Sequence, residues 1–274
     1  MKKTSPRFVR PRKSWGQHFL IDANIQRKIL DAAEIQPEEH VIEIGPGLGI
    51  LTKGLLERGA RVTAIEVDPI LVDRIRKEIT TTEPPRLDLI TGDALRYPYQ
   101  EIQGPYKVVA NLPYYLSTPL LFRLLEGHRR IRRMVLMVQK EVADRLAAAV
   151  GTKSYGALSI AVQYYADIQV AFTVPPSCFR PRPKIDSTVI VITPLLKGRV
   201  PVRNEPLFLR VVRGAFGYRR KRVANALDEA GFSREIVASV LDRINIDPSR
   251  RGETLTMAEF AALADALFDS KADL

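Results

Sequence analysis

The chain has 274 residues, 46% of them hydrophobic, enough to bury a full core and suited to one large domain or a large and a small one. Its formal charge of +11 and pI near 9.8 favour a polyanionic partner, because Lys and Arg release condensed counterions when they neutralise phosphates. A single cysteine, Cys178, excludes an intrachain disulfide and a cysteine-based metal cage, and His18, His40 and His128 are too scattered for a metal site or a Ser/His hydrolase.

The first acidic residue is Asp22, and before it stand Lys2, Lys3, Arg7, Arg10, Arg12 and Lys13 among turn-forming residues, which reads as a flexible basic arm over 1–21. The arm lacks the apolar core of a signal peptide, and no apolar run reaches membrane length, so a cytoplasmic protein without membrane contact is expected. Asp22 then caps a helix carrying Ile25, Ile29 and Leu30. From 40 to 117 short β-branched runs alternate with helical patterns, the signature of a parallel sheet. Strands are predicted at 40–45, 61–66, 87–91, 107–111 and 133–138, with helices at 48–58, 69–79, 117–125 and 140–150. Two further strands at 168–174 and 187–193 flank the Pro-rich loop 175–183 and bring the total to seven. Past Leu196-Lys197-Gly198-Arg199 strand patterns stop, and helices at 205–216, 220–230, 234–244 and 257–268 remain. The domain boundary is placed there, dividing 22–197 from an all-helical 198–274.

Polar residues cluster where the strands end. Glu43-Ile44-Gly45-Pro46-Gly47-Leu48-Gly49 closes the first strand and opens a helix, placing glycines where backbone must approach a bound molecule. Several nucleotide cofactors suit such a turn, but Ile50 stands where the dinucleotide fingerprint needs glycine, and Thr52-Lys53 is in the wrong order for a phosphate-binding loop. Glu66, ending the second strand, lies where a carboxylate holds a ribose diol, and Asp93, after the third, can accept from an exocyclic amine. Asn111-Leu112-Pro113-Tyr114 ends the fourth strand. An adenine N6 amine is a poor nucleophile until acceptors draw its nitrogen towards tetrahedral geometry. The Asn111 side-chain oxygen and the Leu112 carbonyl, kept extended by Pro113, supply two, and Tyr114 offers a ring for stacking. The same four residues also read as a strand exit with turn-forming Asn and Pro. All four positions lie at the carboxyl edge of one sheet, where open α/β folds bind ligands.

Gly45-x-Gly47-x-Gly49, Glu66, Asp93 and Asn111-Leu112-Pro113-Tyr114 resemble the successive motifs of S-adenosylmethionine-dependent adenine-N6 methyltransferases. Trp15-Gly16-Gln17-His18-Phe19-Leu20, Phe179-x-Pro181-x-Pro183-x-x-x-Ser187, Arg219-Arg220-Lys221-x-x-x-Asn225-x-Leu227 and Arg251-x-Glu253-x-Leu255 are similar to the small-subunit rRNA adenine N6,N6-dimethyltransferases, the family whose loss confers kasugamycin resistance. The resemblance covers nearly the whole chain. It implies a Rossmann-like class I methyltransferase fold with a small all-helical C-terminal domain. It also implies S-adenosylmethionine as cofactor, and two adjacent adenosines near the 3′ end of small-subunit rRNA, in a pre-30S particle, as substrate for a monomeric, metal-free enzyme. His18 and Leu20 then border the methionine end of the cofactor, with Gly45 and Gly47 beneath it, Glu66 on the ribose, Asp93 at its adenine and Asn111 at the reaction centre. The commonest form of the first motif has Asn where this chain has His18, which leaves a backbone contact there. Phe179 is expected to sandwich the target base with Tyr114, and Arg219, Arg220, Lys221 and Arg222 to grip RNA phosphates. Arg129-Arg130-x-Arg132-Arg133 and Arg180-x-Arg182-x-Lys184 are further basic groups. Competing readings are a macrolide-resistance methyltransferase of large-subunit rRNA, which the Arg219-Arg220-Lys221 and Trp15-Gly16 signatures oppose, and a noncatalytic RNA-binding factor.

Overall fold

Runs of Val and Ile with helical segments between them assemble as expected, in a computed structural model that describes residues 17–79, 86–126, 128–218 and 220–270. Residues 1–16 of the basic arm, Trp15-Gly16 among them, and Arg219 lie outside the described residues. Along the chain come β1 (Phe19–Leu20), α1 (Ala23–Ala33), β2 (His40–Ile44), α2 (Ile50–Glu57), β3 (Arg61–Glu66), α3 (Pro69–Glu78), β4 (Leu87–Thr91) and β5 (Tyr106–Asn111). They are followed by α4 (Ser117–Glu126), β6 (Ile131–Gln139), α5 (Lys140–Leu146), α6 (Ala157–Tyr165), β7 (Ala166–Val174), β8 (Phe179–Arg180) and β9 (Ser187–Pro194). The tail carries α7 (Glu205–Gly217), α8 (Val223–Glu229), α9 (Arg234–Arg243) and α10 (Met257–Asp269).

The seven-stranded sheet runs β4-β3-β2-β5-β6-β9-β7. From β4 to β6 every pairing is parallel, and β9 runs antiparallel to β6. The chain builds outward from β2 through β3 to β4, then returns to place β5 on the other side of β2. That reversal opens a crevice at the carboxyl ends of β2 and β5, the usual ligand position in such sheets. Ile44 is in register with Ala110, which sets Gly45 next to Asn111. Both faces of the sheet are covered, so its strands are almost continuously apolar: Val41, Val62, Val109 and Val135 are each at most 2% exposed and share a core with Ile29, Leu30 and Leu55 from α1 and α2. A separate two-stranded sheet pairs β1 with β8, Leu20 opposite Phe179. Asp22 caps its helix as expected, accepting from the amides of Asn24 and Ile25 at 2.8 and 3.0 Å, and Asp68 caps α3, accepting from Ile70 at 3.0 Å.

The chain divides into two compact units, residues 1–142 with 169–193, and 143–168 with 194–274. The helical unit is thus larger than the predicted 198–274. Its extra segment carries α6, which the sequence reading lacked, while the helix predicted at 140–150 ends at Leu146. Ala157–Tyr165 is apolar almost all round and has no amphipathic stripe to announce a helix, because Leu158, Ser159, Ile160, Ala161, Val162 and Tyr164 are all buried. Ile160 and Tyr164 join Leu207, Phe208, Val211 and Phe260 in one apolar cluster, and the rings of Tyr164 and Phe208 lie 5.0 Å apart. Arg199 donates to the Gln163 carbonyl at 2.8 Å and Tyr155 to that of Leu255 at 3.1 Å, fastening the early segment to the later one.

Candidate active site

The crevice beyond β2 and β5 is a cleft of about 380 Å³. His18, Leu20, Gly45, Gly47, Glu66, Asp93, Asn111 and Pro113 all line it, so residues spread over nearly a hundred positions meet in one place. The glycine turn is shaped by left-handed backbone, with φ of 65° at Gly45 and 59° at Gly47. A Cβ at Gly47 would stand 3.0 Å from the Phe19 ring, so a side chain there would force the ring or the turn to shift. The Gly47 amide donates to Glu66 Oε2 at 3.2 Å and the Asp68 amide to Glu66 Oε1 at 3.0 Å. Burial pushes the Glu66 carboxyl above its usual range while those amides pull it back, leaving an oriented acid with unused lone pairs. Asp93 accepts from the Leu95 amide at 2.9 Å across its loop.

Asn111 is oriented by the residue just before β1. Its Nδ2 donates to the His18 carbonyl at 3.0 Å. A carbonyl can only accept, so the amide nitrogen must face it, and the Oδ1 end is left as the acceptor. The Leu112 amide donates to Met137 O at 3.1 Å, which holds the chain after β5 against β6. The His18 ring does not enter this contact. Its Nδ1 lies 2.8 Å from the Pro181 carbonyl and therefore carries the hydrogen, and its ring stands 5.5 Å from that of Tyr114. The Tyr114 hydroxyl lies 3.0 Å from Ser187 Oγ, and partial burial pushes its pKa up, so the phenol stays neutral.

Two expectations change. Phe179 offers no face to a base: it is 2% exposed and belongs to the core beneath the sheet, held by the pairing of β8 with β1. The aromatic residue that lines the cleft in the open is Tyr115, 57% exposed, which the sequence reading passed over. The doubled Tyr114-Tyr115 after Pro113 was its only signal. In the helical unit Lys221 pairs with Glu229 and stands 5.0 Å over the Tyr218 ring, whereas Arg220 and Arg222 are exposed. Phe216 packs against Tyr155 and Phe260. Among the described residues no group of three His, Cys, Asp or Glu could hold a metal, and no helix is long and apolar enough to cross a membrane.

A glycine turn, a buried acid and an oriented asparagine thus meet on one sheet edge. The family model for ribosomal RNA adenine dimethylases matches residues 9–264. This chain belongs to that family. Ribosomal RNA small subunit methyltransferase A of Clostridium perfringens is 46% identical over 258 residues, 93% of this chain and 90% of the relative. The protein of that description from Moorella thermoacetica is 46% identical over 268 residues, 94% of this chain and 92% of its own length. A dimethyladenosine transferase from Plasmodium falciparum superposes with a TM-score of 0.79 at 27% identity, covering 93% of this chain and 99% of that one. The 23S rRNA methyltransferase ErmE shares the fold, with a TM-score of 0.71 at 23% identity over 91% of this chain and 99% of its own. The rRNA adenine dimethylase described here thus has the Rossmann-like methyltransferase fold, its cleft at the sheet's reversal point.

Proposed function

We propose that this dimethylase transfers methyl groups from S-adenosylmethionine to N6 of two adjacent adenosines in a loop near the 3′ end of small-subunit rRNA, acting as a monomer on a pre-30S particle. The relatives named for the small subunit, at 46% identity over most of the chain, support the choice of subunit. The cleft fits the cofactor on observed grounds: Gly45 and Gly47 present bare, left-handed backbone along it, and Glu66 presents a buried, oriented acid to a diol. Bound there, S-adenosylmethionine supplies an already activated methyl group, so the protein needs position and electrostatics more than a nucleophile or a base.

Asn111 carries the reading. With its amino end on the His18 carbonyl, its oxygen is the group available to accept an N6 hydrogen. The Leu112 carbonyl, one residue on, is the second acceptor, and a following proline disfavours helix at that residue. Once the amine bears one methyl a single hydrogen remains, which one acceptor satisfies, so the same pair serves the second transfer. Stacking falls to the Tyr114 ring on one side, with Tyr115 at the mouth in place of Phe179. The helical unit, with Arg219, Arg220, Lys221 and Arg222 before α8, is assigned the choice of RNA site. Labelled S-adenosylmethionine should mark small-subunit particles and spare large-subunit rRNA, and label in the large subunit would overturn the assignment. Asn111→Ala should abolish transfer while RNA binding persists; a variant methylating at the wild-type rate would refute the role of Asn111.

A further inference from the structure

Among the described residues Glu43 is the one carboxylic acid with both oxygens buried and without a hydrogen-bond partner. It stands two residues before Gly45, is 1% exposed, and is flanked in the sheet by Ala64 of β3 and Val109 of β5. Its side chain does not line the cleft. From α2 the hydroxyl and amide of Thr52 lie close enough to favour a charged carboxylate, yet the Thr52 hydroxyl is also buried without a bond of good geometry. The charged group that bears on Glu43 is Glu66, on β3, and it opposes ionisation. Burial, the larger influence, pushes the Glu43 carboxyl up to about 8, so it holds a proton near neutral pH.

The established chemistry gives this acid no task, and an apolar residue at the end of a doubly covered strand would be the ordinary choice. A proposed cofactor with a fixed sulfonium charge changes the balance, because a cation in the cleft supplies the counter-charge that a buried carboxylate lacks. We propose that Glu43 is a positioning residue that releases its proton when S-adenosylmethionine binds, the resulting carboxylate holding the cationic cofactor from beneath the glycine turn. The O–H bond breaks, its electron pair stays on the carboxylate, and the proton passes to the buffer. This rests on the cofactor reading above.

Calorimetry of the full-length protein in two buffers of different ionisation heat separates the two ideas. Near pH 7.5, S-adenosylmethionine should release on the order of half a proton per site, S-adenosylhomocysteine, which lacks the sulfonium charge, clearly less. Glu43→Gln should still bind but lose the difference between the two ligands, and Thr52→Val should keep it. Carboxyl 13C spectra of the unaltered protein, which need no variant to fold, should show the most upward-shifted glutamate, above Glu66, ionising late and moving to lower pH with cofactor. Binding without proton release, equal release by Glu43→Gln, or a Glu43 carboxylate already charged at about pH 6.5 would overturn the proposal. No binding of either ligand would overturn the cofactor reading, and this inference with it.

Discussion

An asparagine whose amino group is engaged by a carbonyl cannot be exchanged for aspartate. Asn111→Asp keeps the shape but sets an acceptor against the His18 carbonyl, so the side chain must turn and the aligned oxygen is lost. The expected result is a fall in kcat of roughly tenfold or more with the fold intact, checked by steady-state kinetics and circular dichroism; unchanged kcat would mean that the bond to His18 does not position the residue. Glu43 makes a separate prediction about stability. Its carboxyl sits at about 8 in the folded protein against 4.5 for the ordinary side chain. Between those values the folded chain keeps a proton that the unfolded chain has shed, so its contribution is complete at low pH and is lost as pH rises through about 8. Glu43→Gln does not ionise, and its melting temperature should gain on wild type as pH is raised from about 5 to about 8.5. Parallel melting curves at the two pH values would exclude a buried neutral acid at this position.

The turn between β2 and α2 and the cap of α10 show how much a short segment decides. Gly47→Ala places a methyl against the Phe19 ring in a left-handed backbone, and the ring or the turn must give way to accept it. Affinity for S-adenosylmethionine should fall more than melting temperature does, and calorimetry beside thermal melts distinguishes the two. At α10, Thr256 accepts from the Glu259 amide at 3.2 Å and Glu259 from the Thr256 amide at 2.7 Å, while Arg250 holds the Glu259 carboxyl at about 2. A depressed carboxyl stabilises above its ordinary value of 4.5 and loses that effect as pH falls towards about 2. Glu259→Gln should therefore destabilise by on the order of 1 kcal/mol at neutral pH, since solvent reaches both partners, and by less near pH 3 in urea melts. Segments of this kind are what a sequence displays well. Alternating β-branched runs gave away the strands, and Asp22, Asp68 and the glycine turn stood out by residue type, because each is needed for a local reason. α6 stayed hidden because helices buried on every side have no stripe, and Phe179 misled because a proline context tells where a loop lies but not which way a ring turns. Exposure at Tyr115 depends on the path of β5 and α4, which no nearby residue records.

The division of the molecule into units cuts across the order of the chain. A fragment ending at 197 carries 143–168 without its partners, leaving Ile160 and Tyr164 without Leu207 and Phe208. It should bind a hydrophobic dye and aggregate where the full chain does neither, and a monomeric fragment that binds no dye would argue that α6 belongs with the sheet. Exchanging 198–270 for the tail of another rRNA methylase should, if its core residues are matched to α6, redirect which RNA is modified; unchanged selectivity would remove the tail from recognition. The discontinuity also bears on how the protein is made. During synthesis the apolar face of α6 leaves the ribosome before α7 to α10 have been translated, and the whole of β7 to β9 must follow it first. For that interval a hydrophobic helix has none of the later partners that bury it in the finished fold.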